Sequence, residues 1–203
     1  MRVAVASRNP GKLAELQRLL DGHPWELVGL DEAGFHEELE EPYATYEENA
    51  AAKAVTVCTA TGMAALADDS GIEVPALGGW PGPASARWMG AEASDADRLQ
   101  GLLDEVERRC PEDRRARYVC VVTLARPGTA PVSARGETGG VLVAPRGSGG
   151  FGYDPSFLSA DLGMRFGEAS AQAKDGVSHR ARALAALLAL LRAEEGPPPS
   201  GAG

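Results

Sequence analysis

Ser7-Arg8-Asn9-Pro10-Gly11-Lys12 lies between the apolar run Val3 to Ala6 and a segment in which Leu13, Leu16, Leu19 and Leu20 recur at helical spacing. The unit reads as strand, tight loop, helix. Such a junction turns backbone N–H groups and the positive end of a helix dipole toward whatever lies in front of the loop, so it suits a phosphate. Lys12 adds a point charge there. The loop is not a Walker A loop, because one Gly precedes the Lys and Leu13 stands where a magnesium-holding Ser or Thr is required.

A chain of 203 residues with 44% hydrophobic and 24% charged residues can bury a substantial core and has ordinary globular composition. The net charge of −9 argues against nucleic acid as a partner and leaves room for a small, locally bound anion. No apolar run approaches a membrane span and Met1 leads straight into a strand, so no membrane partner and a cytoplasmic location are expected. Cys58, Cys110 and Cys120 show no metal-ligand spacing and read as reduced thiols.

Of the 20 basic residues only three are Lys: Lys12, Lys53 and Lys174. Wherever a positive charge merely had to be present, this chain uses guanidinium. A compact ammonium and a planar fork are not interchangeable, so each Lys marks a position where the compact charge is required, provided that all three fall in motifs.

Trp25 to Leu30 reads as a strand, followed by an acidic stretch in which Glu40 and Glu41 precede Pro42. Most such charges are solvated, but two carboxylates before a Pro-stiffened turn can project toward a cation. Thr45 and Glu48 form a capping box that opens a helix to about Thr59 carrying Lys53. Met63 to Ala67 reads as a buried strand that runs directly into Asp68-Asp69-Ser70-Gly71, for which a turn with Asp side chains capping backbone amides is the alternative to a ligand site. Paired carboxylates at the carboxyl end of a buried strand repel each other unless a cation or proton intervenes, and α/β proteins place ligands at that end.

Ser94 and Asp97 open another helix, which ends at Cys110-Pro111. Arg117 to Ala125 and Val132 to Glu137 are expected to form antiparallel strands, with Val141 to Val143 as a third. A βα-rich first half and a strand-rich second half imply an α/β fold whose mixed central sheet, flanked by helices, is shared by two lobes with a cleft between them. The Gly-rich segment then delivers Phe151 and Tyr153, with Asp154 behind them, an arrangement that can hold a planar base. Ser178 reads as the N-cap of a final helix with Leu184, Leu187, Leu188 and Leu191 on its apolar face. His179 and Arg180 occupy its first turn, where a positive side chain calls for an anion or polar ligand. Residues 1–194 are expected to form one two-lobed catalytic domain and 195–203 a flexible tail.

In order along the chain stand Ser7-x-Asn9-x-x-Lys12, Glu48-Asn49-Ala50 with Lys53, Ala67-Asp68-Asp69-Ser70-Gly71, Leu77-Gly78-Gly79-x-Pro81-Gly82, Ser85-Ala86-Arg87, Gly150-Phe151-Gly152-Tyr153-Asp154-Pro155, Lys174 and Ser178-His179-Arg180. This ordered set resembles the inosine/xanthosine triphosphate pyrophosphatases, and all three Lys fall on its motifs. The chain departs from the family pattern after Lys174, where Asp175-Gly176-Val177 replaces a more usual Asn-containing step, and between Leu158 and Arg165.

The resemblance implies an elongated ITPase-like fold, a homodimer, and Mg²⁺-dependent hydrolysis of a non-standard purine nucleoside triphosphate (ITP, dITP or XTP) between the α and β phosphates. Substrate contacts are then expected from Ser7, Arg8, Asn9, Pro10, Gly11, Lys12, Lys53 and Ser70. Others are expected from Phe151, Gly152, Tyr153, Asp154, Lys174, His179 and Arg180. Asp69 is assigned as general base and metal contact, supported by Asp68, with Glu40 or Glu41 as a further metal ligand.

Overall fold

The structure, a computed structural model, describes residues 1–90 and 92–195. The expected tail falls, apart from its first residue, outside the described residues. The chain forms an α/β fold around one six-stranded mixed sheet. In chain order its elements are β1 (Arg2–Val5), α1 (Pro10–Leu19), β2 (Glu26–Val28), α2 (Tyr46–Thr61) and β3 (Ala64–Glu73). There follow α3 (Asp95–Arg109), β4 (Arg115–Ala125), β5 (Val132–Leu142), β6 (Phe157–Ser159), α4 (Ala171–Asp175) and α5 (His179–Glu195). The sheet order is β2-β1-β3-β4-β5-β6, with β2, β1 and β3 parallel and the remaining pairings antiparallel.

The parallel half is covered on both faces, which is why Val3 to Ala6 and Ala65 to Ala67 read as unbroken apolar runs. On one face α1 and α5 bring Leu16, Leu20, Leu184 and Leu187 against Val3, Val5 and Leu66. On the other, Ala54, Val57 and Cys58 of α2 pack on Ala4, Ala65 and Ala67. A separate core, with Leu102 and Val106 of α3, Ile72 and Phe157, sits under the antiparallel half. Gly136 of β5 lets α5 lie directly on the sheet: a Cβ there would collide with the backbone of His179 and Ala183.

Two sequence expectations are corrected. The strand expected to end at Ala67 continues through Asp68-Asp69-Ser70-Gly71, so that β3 spans ten residues, because Asp69 and its neighbours pair in register with Val121 and the rest of β4. Val132 to Leu142 is one strand, so the separate strand at Val141 to Val143 is its end, and the edge beyond it is the unforeseen β6. The short helix α4, carrying Lys174, was likewise not expected. Trp80, in the Gly/Pro-rich loop after β3, packs edge-on against Trp88, with ring centroids 4.6 Å apart, and serves the core.

Candidate active site

β1 ends at Val5 while its neighbour β3 continues to Glu73. Beyond Leu66 no strand pairs with the β3 edge facing β1 until its far end, where Ser85 Oγ accepts from Ile72 N at 2.9 Å and Glu73 bridges to Pro81, and side chains from both halves of the molecule converge on the open stretch between. They line a cavity of about 370 Å³.

One wall is the Ser7 to Lys12 loop. Asn9 is the N-cap of α1, and its Oδ1 accepts from Gly11 N at 2.9 Å and Lys12 N at 3.2 Å. The amides expected to be open to an anion are thus capped by the chain's own side chain. What the loop presents to the cavity is Ser7, Arg8, Asn9 and Lys12, while Pro10 and Gly11 stay behind as the first turn of the helix. Gly11 lies directly under Phe151, since a Cβ there would be 2.9 Å from Phe151 Cδ1. Arg8 pairs with Asp31 at 3.4 Å and donates to Glu37 O at 3.1 Å, tying the loop to the acidic stretch.

Asp68 and Asp69 have separate environments. Asp68 is buried opposite Lys12 Nζ at 3.1 Å and Arg180 Nη2 at 2.9 Å. Burial alone would raise its pKa, but the Lys12, Arg180 and Lys53 charges outweigh burial and hold it well below the carboxylate range. It is a fixed counter-ion within the protein and does not line the cavity, so the expectation that it supports a metal beside Asp69 is corrected.

Asp69, also buried, faces the cavity; its Oδ2 accepts from Asn49 Nδ2 at 3.0 Å and its Oδ1 from Ser70 N at 3.0 Å. Burial, and then the nearby charge of Glu41, push its pKa up to about 6 against the pull of Lys53, Lys12 and Asn49.

Of the two acidic-loop candidates, Glu41 lines the cavity and Glu40 is exposed outside it. Glu41 pairs with Lys53 Nζ and with Arg87 Nη1, the latter at 2.8 Å. Its pKa is lowered: Lys53, Lys12 and Arg87 override burial. Lys53 also donates to Asp68 O at 2.7 Å, a carbonyl on the open stretch of the β3 edge. Asp69 and Glu41 are hard oxygen donors whose mutual repulsion a divalent cation would remove, and that donor set fits Mg²⁺. Among the described residues no cluster of three His, Cys, Asp or Glu forms a complete protein cage. Mg²⁺ retains water and substrate phosphate oxygens as ligands, so two carboxylates suffice for it.

The opposite wall comes from the second half of the chain. Asp154, which is buried, accepts from Phe151 N at 2.9 Å, Tyr118 Oη at 3.1 Å and Lys174 Nζ at 2.6 Å. It organises the site instead of offering a free carboxylate. Lys174 Nζ and the Arg180 guanidinium stand 4.9 Å and 5.8 Å from the Phe151 ring centroid. The backbone of Gly152 is held by Asp95 Oδ2, which accepts from Gly152 N at 3.0 Å. Tyr153 lines the cavity but belongs to the core: its hydroxyl accepts from Trp88 Nε1 at 2.9 Å and donates to Ser85 O at 2.8 Å.

His179 stacks on Tyr118, with centroids 4.6 Å apart. Burial, with the Arg180 and Lys174 charges, lowers its pKa well below the ordinary histidine value, and its Nδ1 has no partner among the described residues. Arg180 is fully buried, and its guanidinium is held by Asp68, Glu15 and, at 3.1 Å, Ser70 Oγ. The expected free cation at the start of α5 is therefore already neutralised; it ties α5 to α1 and β3.

Ser7, Arg8, Asn9, Lys12, Lys53, Asp69, Ser70, Phe151 to Asp154, Lys174, His179 and Arg180 are thus brought to one cavity. Asp95 also lines the cavity, and Glu15, Asn49 and Arg87 hold the lining residues Arg180, Asp69 and Glu41; none of the four was foreseen. Asn49 and Arg87 stood in recognised motifs without a role, whereas Glu15 sits on an ordinary helical surface pattern that gives no sign of a partner 165 residues away.

The Ham1 family profile matches residues 3–190. A dITP/XTP pyrophosphatase of Geobacter sulfurreducens is 46% identical over 187 residues, covering 92% of this chain and 94% of that one. One from Deinococcus radiodurans is 49% identical over 189 residues, with 93% and 92% covered. The solved structure of a HAM1 protein from Coxiella burnetii superposes with a TM-score of 0.85 at 37% identity, over 95% of this chain and 99% of that one. Sequence agreement across nearly the whole chain, with the same fold in a solved relative, shows that this chain belongs to the Ham1 family.

Proposed function

We propose that the chain hydrolyses non-standard purine nucleoside triphosphates (dITP, ITP and XTP) to the monophosphate and pyrophosphate, which clears them from the nucleotide pool. The observation that carries this reading is that all three Lys of the chain line one cavity, with Asp69 and Glu41 beside two of them and the Phe151 ring beside the third. Relatives named dITP/XTP pyrophosphatase support the same substrate class.

Lys12 and Lys53 neutralise the triphosphate, and Asp68 and Glu41 hold the two ammonium groups in place before substrate arrives. Phe151, fixed by Asp154, offers the purine a stacking face. Asp69 orients the attacking water and accepts its proton, with Asn49 fixing the carboxylate plane. Asp69 and Glu41 would hold Mg²⁺, which when bound neutralises developing charge on the phosphate oxygens.

Base selection falls to His179, Lys174 and neighbouring backbone, because the Arg180 guanidinium is held by carboxylates. Hypoxanthine and xanthine present a carbonyl at C6 where adenine presents an amine, and a buried donor left facing another donor rejects adenine strongly.

A single catalytic unit spanning residues 1–194, a homodimer and a cytoplasmic location complete the proposal. The family resemblance supports the dimer, and no helix among the described residues is long and apolar enough to cross a membrane. A panel of nucleoside triphosphates with Mg²⁺, scored for pyrophosphate against orthophosphate, tests the assignment. Pyrophosphate with dITP, ITP and XTP, and little with ATP, is expected; orthophosphate with the nucleoside diphosphate would overturn it.

A further inference from the structure

Arg18, in the last turn of α1, grips Asp175 at the end of α4 with two hydrogen bonds, Nε to Oδ2 at 2.7 Å and Nη2 to Oδ1 at 3.1 Å. This two-pronged pair joins segments 157 residues apart, and the Asp175 side chain is only 13% exposed. Neither residue lines the cavity. Asp175 directly follows Lys174, at the place where the chain departs from the usual family step.

The pair matters because α4 has only five residues, far too few to hold a helix by its own hydrogen bonds. Its position depends on anchors. At its start the Ser170 hydroxyl accepts from Ala173 N at 3.2 Å, and at its end stands the Arg18 fork. From the same short helix Lys174 reaches into the cavity to Asp154 and the Phe151 ring. The helix at the other end of the tether, α1, carries Lys12, and its Glu15 is paired with Arg180. One helix thus bears on the phosphate grip through Lys12 and on the base wall through Arg18.

We propose that Arg18 and Asp175 are positioning residues for substrate recognition: their bidentate pair sets Lys174 at the base end of the cavity relative to Lys12 at the phosphate end. The inference rests on the pyrophosphatase reading above. It predicts that breaking the pair loosens the grip on the base without touching the phosphate end or the chemical step.

The test compares wild type with Arg18→Ala, Asp175→Ala, the double variant and Arg18→Lys, each measured for ITP turnover and for competitive inhibition by inorganic tripolyphosphate, which has no base. Each single Ala variant is expected to raise KM for ITP about 3- to 10-fold with kcat within about twofold, and the double variant no further than the worse single. Arg18→Lys, which keeps the charge and loses the fork, is expected to fall between. The Ki of tripolyphosphate is expected to stay at the wild-type value in all of them.

An unchanged KM in both single variants would overturn the inference. So would a rise in Ki parallel to the rise in KM, which marks general loosening of the fold. Wild type that releases no pyrophosphate from any nucleotide would reject the parent reading instead, so the two failures are told apart.

Discussion

Asp68 and Asp69, adjacent in the chain, point to opposite faces of β3: Asp68 Oδ2 lies 2.9 Å from Arg180 Nη2, and Asp69 Oδ2 lies 3.0 Å from Asn49 Nδ2. Strand alternation separates them into a neutralised structural carboxylate and an unneutralised one facing the cavity. A pair that looks redundant in sequence therefore has two unrelated tasks.

Stability separates these tasks. Asp68→Asn leaves the buried Arg180 with one carboxylate fewer and is expected to cost about 2–4 kcal/mol in urea unfolding at pH 8. Asp69 behaves oppositely. Its folded pKa is raised from 3.8 to about 6, so its ionised form disfavours folding. Asp69→Asn is expected to equal wild type in stability below pH 4 and to exceed it above pH 6.

The same raised pKa sets the pH dependence of activity. Asp69 must be ionised to accept a proton or hold a cation, so at low Mg²⁺ kcat/KM is expected to fall as pH drops through about 6. Protons and metal compete for the carboxylate, and raising Mg²⁺ tenfold is expected to shift this limb down by up to about one pH unit. A limb that does not respond to Mg²⁺ would separate Asp69 from the metal.

Glu41 and Glu40 are told apart by metal titration. Glu41→Gln removes a cavity carboxylate that also faces Lys53 and Arg87, and is expected to raise the Mg²⁺ concentration for half-maximal activity roughly 10-fold or more. Glu40→Gln, outside the cavity, is expected to leave it within about twofold.

Gly11 tests the contact between the two walls. Gly11→Ala puts a methyl group 2.9 Å from Phe151 Cδ1 and 3.1 Å from Asn9 Oδ1, so the ring must shift. KM for ITP is expected to rise about fivefold or more, with a smaller change in kcat.

Much of this arrangement is readable from residues alone, for physical reasons. The first strand, loop and helix carry strong local signals: an apolar run, a loop holding Pro10 and Gly11, and helical Leu spacing. Residue economy picks out the three Lys because Lys and Arg are not equivalent at compact sites.

What escapes sequence reading depends on distant pairing. Asp and Gly are poor strand formers, and only registration against β4 makes Asp68 to Gly71 a strand. Gly139 and Gly140 suggest a break in β5, yet pairing with β4 carries the strand through them. Arg180 looks like a free cation at a helix start because its partners, Glu15 and Asp68, lie 165 and 112 residues away.

The most direct test of the account is the Asp69→Asn variant with ITP and Mg²⁺, measured for nucleotide binding by equilibrium titration and for pyrophosphate release. Binding within about threefold of wild type is predicted, with release reduced at least about 10³-fold. Pyrophosphate release near the wild-type rate would contradict the account.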